Sequence, residues 1–522
     1  MRRIGTSLLI LGIFGTMLIL LCMTGRSSAL KPPAAPVFSK DSGFYDEAFL
    51  LELHADEGER IYFSLDGSDP AYYGVLYTEP ILVYDRSMEP TVLRSYPGTH
   101  FEWEYETDTS IVDRCFTVKA IAKDDKNRIS EAATGIYFIG KTGYEGMVLS
   151  ITADPRDLIG DDGIIVRGKE YDEWVEAGEE GDGPQANFLK RGREWEIPCT
   201  IDLFDNRKHV SEEKGGLRVQ GDSSRFYYLK RFSIYARQEY DGEDYFSTDF
   251  FGDGSKVHSV VTRTGRANAL FPKLTEGRSS LGIRSVPVTV FLNGEYWYDA
   301  WLGEKYSSYY FNSHFGIARD NIISVKNGEL DEGDAEDYGS YMRMTEYIDS
   351  HDLSRKDAYD HLCDIMDIQS YIDYCCINLY AVNVDGDDKT NAYLWRTRQV
   401  EPGHEYADTK WRYALYDMDA LDWIVPEEYG VSSAAEVNTF TAVPPDGDMR
   451  PFEENELFAA LKENPDFCKQ FVNTFMDMID SDFSKENARR VLQETGLELD
   501  YNDAFFIRRP EYMKTYIKEE FD

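Results

Sequence analysis

The run Tyr371-Ile372-Asp373-Tyr374-Cys375-Cys376-Ile377-Asn378-Leu379-Tyr380 is followed by Asn383-Val384-Asp385-Gly386-Asp387-Asp388-Lys389-Thr390-Asn391 and then by Ala392-Tyr393-Leu394-Trp395. It reads as an apolar helix, an acidic loop and a strand. Further on, Trp411-Arg412-Tyr413-Ala414-Leu415-Tyr416 alternates like a strand leaving the core and delivers Asp417 and Asp419. Carboxylates and an amide at two strand ends suit a hard cation. Mg²⁺ in particular is held by one or two carboxylates together with phosphate oxygens and water. An EF-hand is excluded, because counting from Asp385 puts glycine second and no glutamate twelfth. Asp387 and Asp388 fit an ordinary solvated turn, whereas Asn391 and Asp417 are flanked by apolar strands.

Upstream, Val286-Pro287-Val288-Thr289-Val290-Phe291-Leu292 is rich in β-branched and aromatic residues, Asn293-Gly294 turns the chain, and Tyr296 to Leu302 returns it. Gly303, Glu304 and Lys305 follow directly. Glu304 is either an exposed carboxylate at a helix start or an inward partner of Lys230. Earlier still, Gly215-Gly216-Leu217-Arg218-Val219-Gln220-Gly221-Asp222-Ser223-Ser224-Arg225 leads to Leu229-Lys230-Arg231-Phe232-Ser233-Ile234-Tyr235, a strand, a polar loop and a strand. Gly221 allows a sharp turn, the Ser223 and Ser224 hydroxyls can donate to phosphate oxygens, and Lys230 would place an ammonium beside them. The bland alternative is a plain hairpin loop.

The charge of the chain makes that basic loop informative. Lys plus Arg number 55 and Asp plus Glu 95, a formal net charge of −40. Such a body repels the nucleic-acid backbone, so nucleic acid is excluded as the main partner. A polyphosphate ligand then needs a local cluster of cations or a masking metal ion. The 522 residues, 42% hydrophobic and 14% aromatic, specify more than one folded unit rather than disorder. Seven cysteines without a CxxC pair and eight histidines without ligand spacing predict no zinc site. At the N-terminus, Arg2 and Arg3 precede the apolar stretch Ile4 to Met23, an export signal that is either cleaved or kept as an anchor over residues 1–30. The body is therefore expected outside the cytoplasm, secreted or membrane-anchored.

After the linker Lys31-Pro32-Pro33-Ala34-Ala35-Pro36, the segments Phe49 to Leu53, Arg60 to Leu65 and Cys115 to Ala122 alternate as strands between Asp-Gly and Asp-Pro turns, which predicts a β-sandwich over residues 31–142. The run Ile61-Tyr62-Phe63-Ser64-Leu65-Asp66-Gly67-Ser68-Asp69-Pro70, with Tyr77-Thr78-Glu79-Pro80-Ile81 and Lys119-Ala120-Ile121-Ala122, resembles the chitobiase/hexosaminidase C-terminal-like domain, a fibronectin-like module. That resemblance implies an accessory or spacer role, and its tyrosines leave open a contact with cell-surface glycan. The tail from Glu453 to Asp522 carries apolar residues at helical spacing and is expected to pack on the large domain.

Taken together, the Arg218 to Ser224 loop with Lys230-Arg231, the Asn293-Gly294-Glu295-Tyr296 hairpin with Glu304, the Asn383 to Asn391 segment and Tyr416-Asp417-Met418-Asp419 resemble the spore-coat protein CotH family of secreted, atypical protein kinases, over roughly residues 147 to 480. The resemblance implies an α+β chain: the N-terminal β-sandwich followed by a compressed kinase-like domain over 147–522 with C-terminal helices. It implies ATP with Mg²⁺ or Mn²⁺, and transfer of the γ-phosphoryl group to serine or threonine of exported proteins. Carried over by residue, Lys230 neutralises nucleotide phosphates with Arg231 as its stand-in, Glu304 orients that lysine, and Arg218, Gly221, Ser223 and Ser224 bind ATP. Asp385 positions or deprotonates the acceptor hydroxyl, and Asn391, Asp417 and Asp419 hold the metal. The interval from Asp385 to Asn391 is one longer than the kinase catalytic-loop spacing, which leaves Asp387 as the alternative reacting carboxylate. Asp222 stands where the family usually has asparagine. A non-catalytic surface-binding protein is the alternative class, and a glycosidase is disfavoured because two isolated opposing carboxylates cannot be picked out.

Overall fold

The computed structural model describes residues 32–101, 110–387, 390–443, 450–497 and 502–521. The apolar stretch expected to direct export, together with Asp388 and Lys389, lies outside them. Two compact units emerge: one holds the described part of Met1–Asp41 with Phe49–Val83 and Val118–Gly135, the other Ser42–Ala48, Tyr84–Thr117 and Ile136–Asp522. In the smaller unit Arg60–Ser64 pairs antiparallel with Val75–Leu76 on one side and with residues 119–123 on the other, while Phe49–Leu51 pairs with Ile81–Val83. Strands fall at the three places where alternation and turn residues predict them.

The larger unit opens on seven strands closed into a barrel: β1 (Met147–Ala153), β2 (Ile197–Asp205), β3 (Lys208–Gln220), β4 (Arg231–Tyr235), β5 (Ser259–Arg263), β6 (Ser285–Leu292) and β7 (Glu295–Glu304). β7 lies between β5 and β6, and β6 closes on β1 in parallel. Alternate residues such as Leu149, Ile151, Ile201, Leu203, Leu217 and Ile234 fill the interior. The β6–β7 turn is made by Asn293 at φ 45° and Gly294 at φ 84°, the two left-handed positions of the tight hairpin that Asn-Gly signals. A Cβ on Gly294 would stand 2.7 Å from the Cys115 carbonyl oxygen, whose own N–H donates to Gly294 O at 2.9 Å. The stretch 84–101 is fastened nearby by Glu295, which is buried and accepts the backbone N–H groups of Val92, Leu93 and Arg94.

Between β5 and β6 lies α1 (Ala267–Leu274), and beyond the barrel come α2 (Ser308–Phe315), β8 (Ile322–Lys326), β9 (Glu329–Glu332), α3 (Ala335–Ser350), α4 (Lys356–Ile365), α5 (Ile368–Tyr380), β10 (Ala392–Thr397) and β11 (Arg412–Leu415). The four strands form an antiparallel sheet in the order β9-β8-β10-β11. Helix α5 is buried at every position except Gln369, as a helix apolar on all sides must be, and Cys375 and Cys376 are core residues. The tail forms the expected helices, Glu456–Lys462, α6 (Pro465–Asp480), α7 (Lys485–Thr495) and α8 (Asn502–Phe521). No helix among the described residues is long and apolar enough to cross a membrane.

Arg509 of α8 ties this tail to the end of α5 and to residues 435–439. Its fully buried guanidinium donates to the carbonyls of Leu379 (2.6 Å) and Tyr380 (3.1 Å), and to Ala435 O, Val437 O and Thr439 Oγ1. Two orphan carbonyls at the end of α5 are thereby satisfied. Arg509→Met is expected to lower stability by at least about 3 kcal/mol in urea unfolding, because several buried acceptors lose their donor, while Arg508→Met leaves the midpoint unchanged.

His258, just before β5, is buried with its ring stacked on Tyr309 of α2 at 3.6 Å, and its Nδ1–H donates to Asp244 O at 2.6 Å. Burial first, with Arg237 and Arg319 adding repulsion against the Asp244 attraction, pulls its pKa from 6.5 down to about 4. The unfolded chain therefore takes up this proton at higher pH than the folded chain. His258 stabilises fully above pH 6.5 and loses its contribution, about 3 kcal/mol, as pH falls from there to about 4. His258→Gln is expected to shrink the acid-induced loss of stability by nearly that amount in denaturant unfolding at about pH 7 and about pH 4.5; an unchanged loss contradicts the assignment.

Candidate active-site cleft

A cleft of about 1080 Å³ in the larger unit is lined by the basic stretch Arg218, Gly221, Ser223, Ser224 and Arg231 and by the acidic group Asp385, Asn391, Asp417 and Asp419. The pairing of β10 with β11 brings the acidic side together. Ala392 is the register partner of Leu415, so Asn391, just before one strand, and Asp417, just after the other, meet at the same end of the sheet. Both adopt left-handed backbone, at φ 52° and φ 53°, which asparagine and aspartate tolerate better than most residues. Asn391 Nδ2 donates to Asp385 Oδ2 at 2.9 Å, while Asp385 Oδ1 is buried with no hydrogen-bond partner.

Two of the carboxylates, Asp385 and Asp419, have raised proton affinities. The pKa of Asp385 is pushed up to about 7 by burial and then by the charges of Asp419 and Asp417. Burial and then Asp417 push Asp419 up to about 6, against the attraction of Arg231 and Arg263. Among the described residues no three His, Cys, Asp or Glu side chains form a ready cage for a metal ion. Mg²⁺ needs no such cage, and an unpartnered carboxylate oxygen beside two like charges and an amide is a donor set that a hard cation would relieve. Asp387 is drawn into a local turn: its N–H donates to Thr390 O at 3.1 Å and its carboxylate accepts from Thr390 N. Asp385, not Asp387, faces the cleft.

The basic wall is set by Gly221 at φ 109°, where a Cβ would fall 1.9 Å from Ser224 Oγ. Beneath it Arg225, which carries no signal in the sequence, donates to the carbonyls of Gly221 (2.7 Å), Val219 (2.7 Å), Phe188 (2.9 Å) and Lys190 (3.0 Å) and so pins the loop. Asp222 is exposed at the rim and pairs with Arg191. Arg218 is held by Glu196, with Nη2 2.7 Å from Oε2. Burial pushes the Glu196 carboxyl up, but Arg237 and Arg218 outweigh it and leave its pKa below the usual carboxylate value.

Two residues are not where the sequence reading put them. Lys230 is fully buried, its ammonium donates to Arg225 O at 2.6 Å and Tyr227 O at 2.7 Å, and it lies 3.7 Å from the centre of the Phe188 ring. Successive residues of an extended chain point to opposite sides, so Arg231, the neighbour, is the one that enters the cleft. Glu304 is buried against His314 Nε2 (2.8 Å) and Arg284 Nη2 (3.3 Å) and does not orient Lys230. Conversely, Asn268 of α1 accepts from Met418 N–H at 2.7 Å and donates to Asp417 Oδ1 at 3.5 Å. Gly265 is required next to it, since a Cβ there would lie 2.6 Å from Asp419 Cβ.

A second stretch, Gly135 to Thr142, has the Gly-x-x-x-x-Gly-Lys-Thr spacing of a phosphate loop. The strand Ala133–Ile139 runs through it, and Lys141 Nζ is taken by Asp113 (2.8 Å), Asp85 (3.2 Å) and Ser87 Oγ (2.7 Å). The cleft is therefore the better anion site.

Residues 267–496 match the family model described as CotH kinase protein. Over this stretch the chain is similar to the CotH kinase family. Residues 51–137 match the model described as Fn3 associated. The CotH kinase match takes in Glu304, Asp385, Asn391, Asp417 and Asp419, and begins after the Arg218–Arg231 wall of the cleft. No curated protein matches the chain.

Because the acidic residues of the cleft repel one another, Asp417→Asn is expected to raise the melting temperature of the metal-free chain and to abolish any stabilisation by Mg²⁺. A thermal melt with and without Mg²⁺ checks both, and a lowered metal-free melting temperature contradicts the repulsion.

Proposed function

We propose that the chain is a secreted or surface-tethered protein kinase that transfers the γ-phosphoryl group of ATP to serine or threonine hydroxyls of exported proteins. The observation that carries this reading is the convergence of Asp385, Asn391, Asp417 and Asp419 with Arg231 and the Gly221–Ser224 turn in one cleft. In an otherwise strongly acidic chain, that is the place where a polyanion meets both cations and metal-binding side chains.

In this reading Asn391, Asp417 and Asp419 hold Mg²⁺, which when bound neutralises phosphate charge and helps to fix the phosphates in line. Arg231 contacts the phosphates as a bidentate donor, taking the part that the sequence reading gave to Lys230, and the Ser223 and Ser224 hydroxyls donate to them. Asp385 accepts a hydrogen bond from the acceptor hydroxyl and takes its proton as the phosphoryl group passes over. Asn391 keeps that carboxylate aimed by donating to its other oxygen. Export rests on Arg2, Arg3 and the apolar stretch from Ile4 to Met23.

A second reading, a protein that binds nucleotide or a surface ligand without turnover, is favoured by one feature: the loop lysine is buried and an arginine stands in the cleft. Incubating the full chain with γ-labelled ATP and Mg²⁺ separates the two. The kinase reading predicts label on protein, reduced about a hundredfold or more by Asp385→Asn and by Asp417→Asn with the fold retained. ATP-dependent stabilisation without label transfer supports the second reading. Arg231→Met is expected to weaken ATP binding, while Lys230→Met lowers stability instead.

A further inference from the structure

Two cleft cations have no part in the reading above. Arg263, at the end of β5, and Lys326, at the end of β8, both approach the ring of Tyr416, with their charged groups 5.5 Å and 4.6 Å from its centre. All three residues line the cleft. Arg263 Nη1 also donates to Asn268 Oδ1 at 3.4 Å, and Asn268 in turn holds Asp417 Oδ1 and Met418 N–H. One amide thus joins the guanidinium to the segment bearing Asp417 and Asp419.

Neither Arg263 nor Lys326 forms an ion pair with any of the described residues. The chain carries 95 acidic side chains to 55 basic ones, and the charge of Arg263 acts on Asp419 without closing an ion pair. An aromatic face attracts a cation without neutralising it, so Tyr416 can hold both charges in place and leave them available. Asp417, which Asn268 links to Arg263, is with Asp419 one of the charges that act on Asp385, where an acceptor hydroxyl would lie.

We propose that Arg263 and Lys326, gathered on Tyr416, bind the terminal phosphoryl group of the nucleotide. This subsite rests on the nucleotide reading of the cleft. During transfer the bond from the terminal phosphorus to its bridging oxygen breaks and a bond to the acceptor oxygen forms. The acceptor proton passes to Asp385 and the nucleoside diphosphate departs. Arg263 and Lys326 contact the moving group throughout and offset the charge on its oxygens. Arg263 lies outside the segment matched by the CotH kinase model.

The test compares melting shifts of the full chain with Mg²⁺ plus ATP and with Mg²⁺ plus ADP, in wild type, Arg263→Gln, Lys326→Gln and Arg263→Lys, together with kcat and KM for ATP. The wild type is expected to gain more from ATP than from ADP. Arg263→Gln and Lys326→Gln are expected to keep the ADP shift, lose the excess given by ATP, and lower kcat about a hundredfold for the arginine, with KM changed less; Arg263→Lys recovers part of both. Variants that retain the ATP excess and full kcat overturn the subsite while the nucleotide reading stands. A wild type that responds to neither nucleotide overturns the reading and the subsite together.

Discussion

The constraint on which the cleft depends is a register. Ala392 pairs with Leu415, and this fixes where Asn391 and Asp417 leave the sheet. A shift of one residue would turn each strand's side chains over and carry the two ligand candidates to different faces. Everything around the pair protects it. Helix α5 is buried almost throughout, its end is closed by Arg509, and Asn268 bridges the segment from Asp417 to Met418. The outcome is electrostatic strain: Asp385 and Asp419 both have raised proton affinities because burial and neighbouring charge act together.

The two walls of the cleft were legible in the sequence to different degrees. The acidic wall was readable because its residues sit next to strands whose apolar alternation is plain, and the tight Asn293-Gly294 turn was readable because its dihedral demand is local. The basic wall was readable as a loop and not as a set of side-chain directions. Lys230 and Arg231 are adjacent, either can serve as a phosphate cation, and only the strand's phase decides which one faces inward. Glu304 failed for a related reason. Its partners, Arg284 and His314, are brought to it by a barrel edge and a helix, and no spacing in the chain announces them.

What the sequence could not announce at all was support from a distance. Arg225 holds the loop through four carbonyls, Asn268 holds the acidic segment, and Tyr416 gathers two cations contributed by different strands. Each is an ordinary residue in an ordinary context until the fold supplies its neighbours. The stretch 84–101, bound to the barrel through Glu295, belongs with them. It lies in the region over which a β-sandwich is expected, and it falls in the larger unit.

The central claim is that nucleotide and metal share the one cleft lined by Arg231, the Gly221–Ser224 turn, Asn391, Asp417 and Asp419. Calorimetric titration of ATP into the full chain, with Mg²⁺ and again with a chelator, tests it most directly. The account predicts one nucleotide per chain with Mg²⁺, at least about tenfold weaker binding without it, and loss of that metal dependence in Asp417→Asn. Binding that is equally tight in the chelator, or a metal dependence that survives in Asp417→Asn, would contradict it.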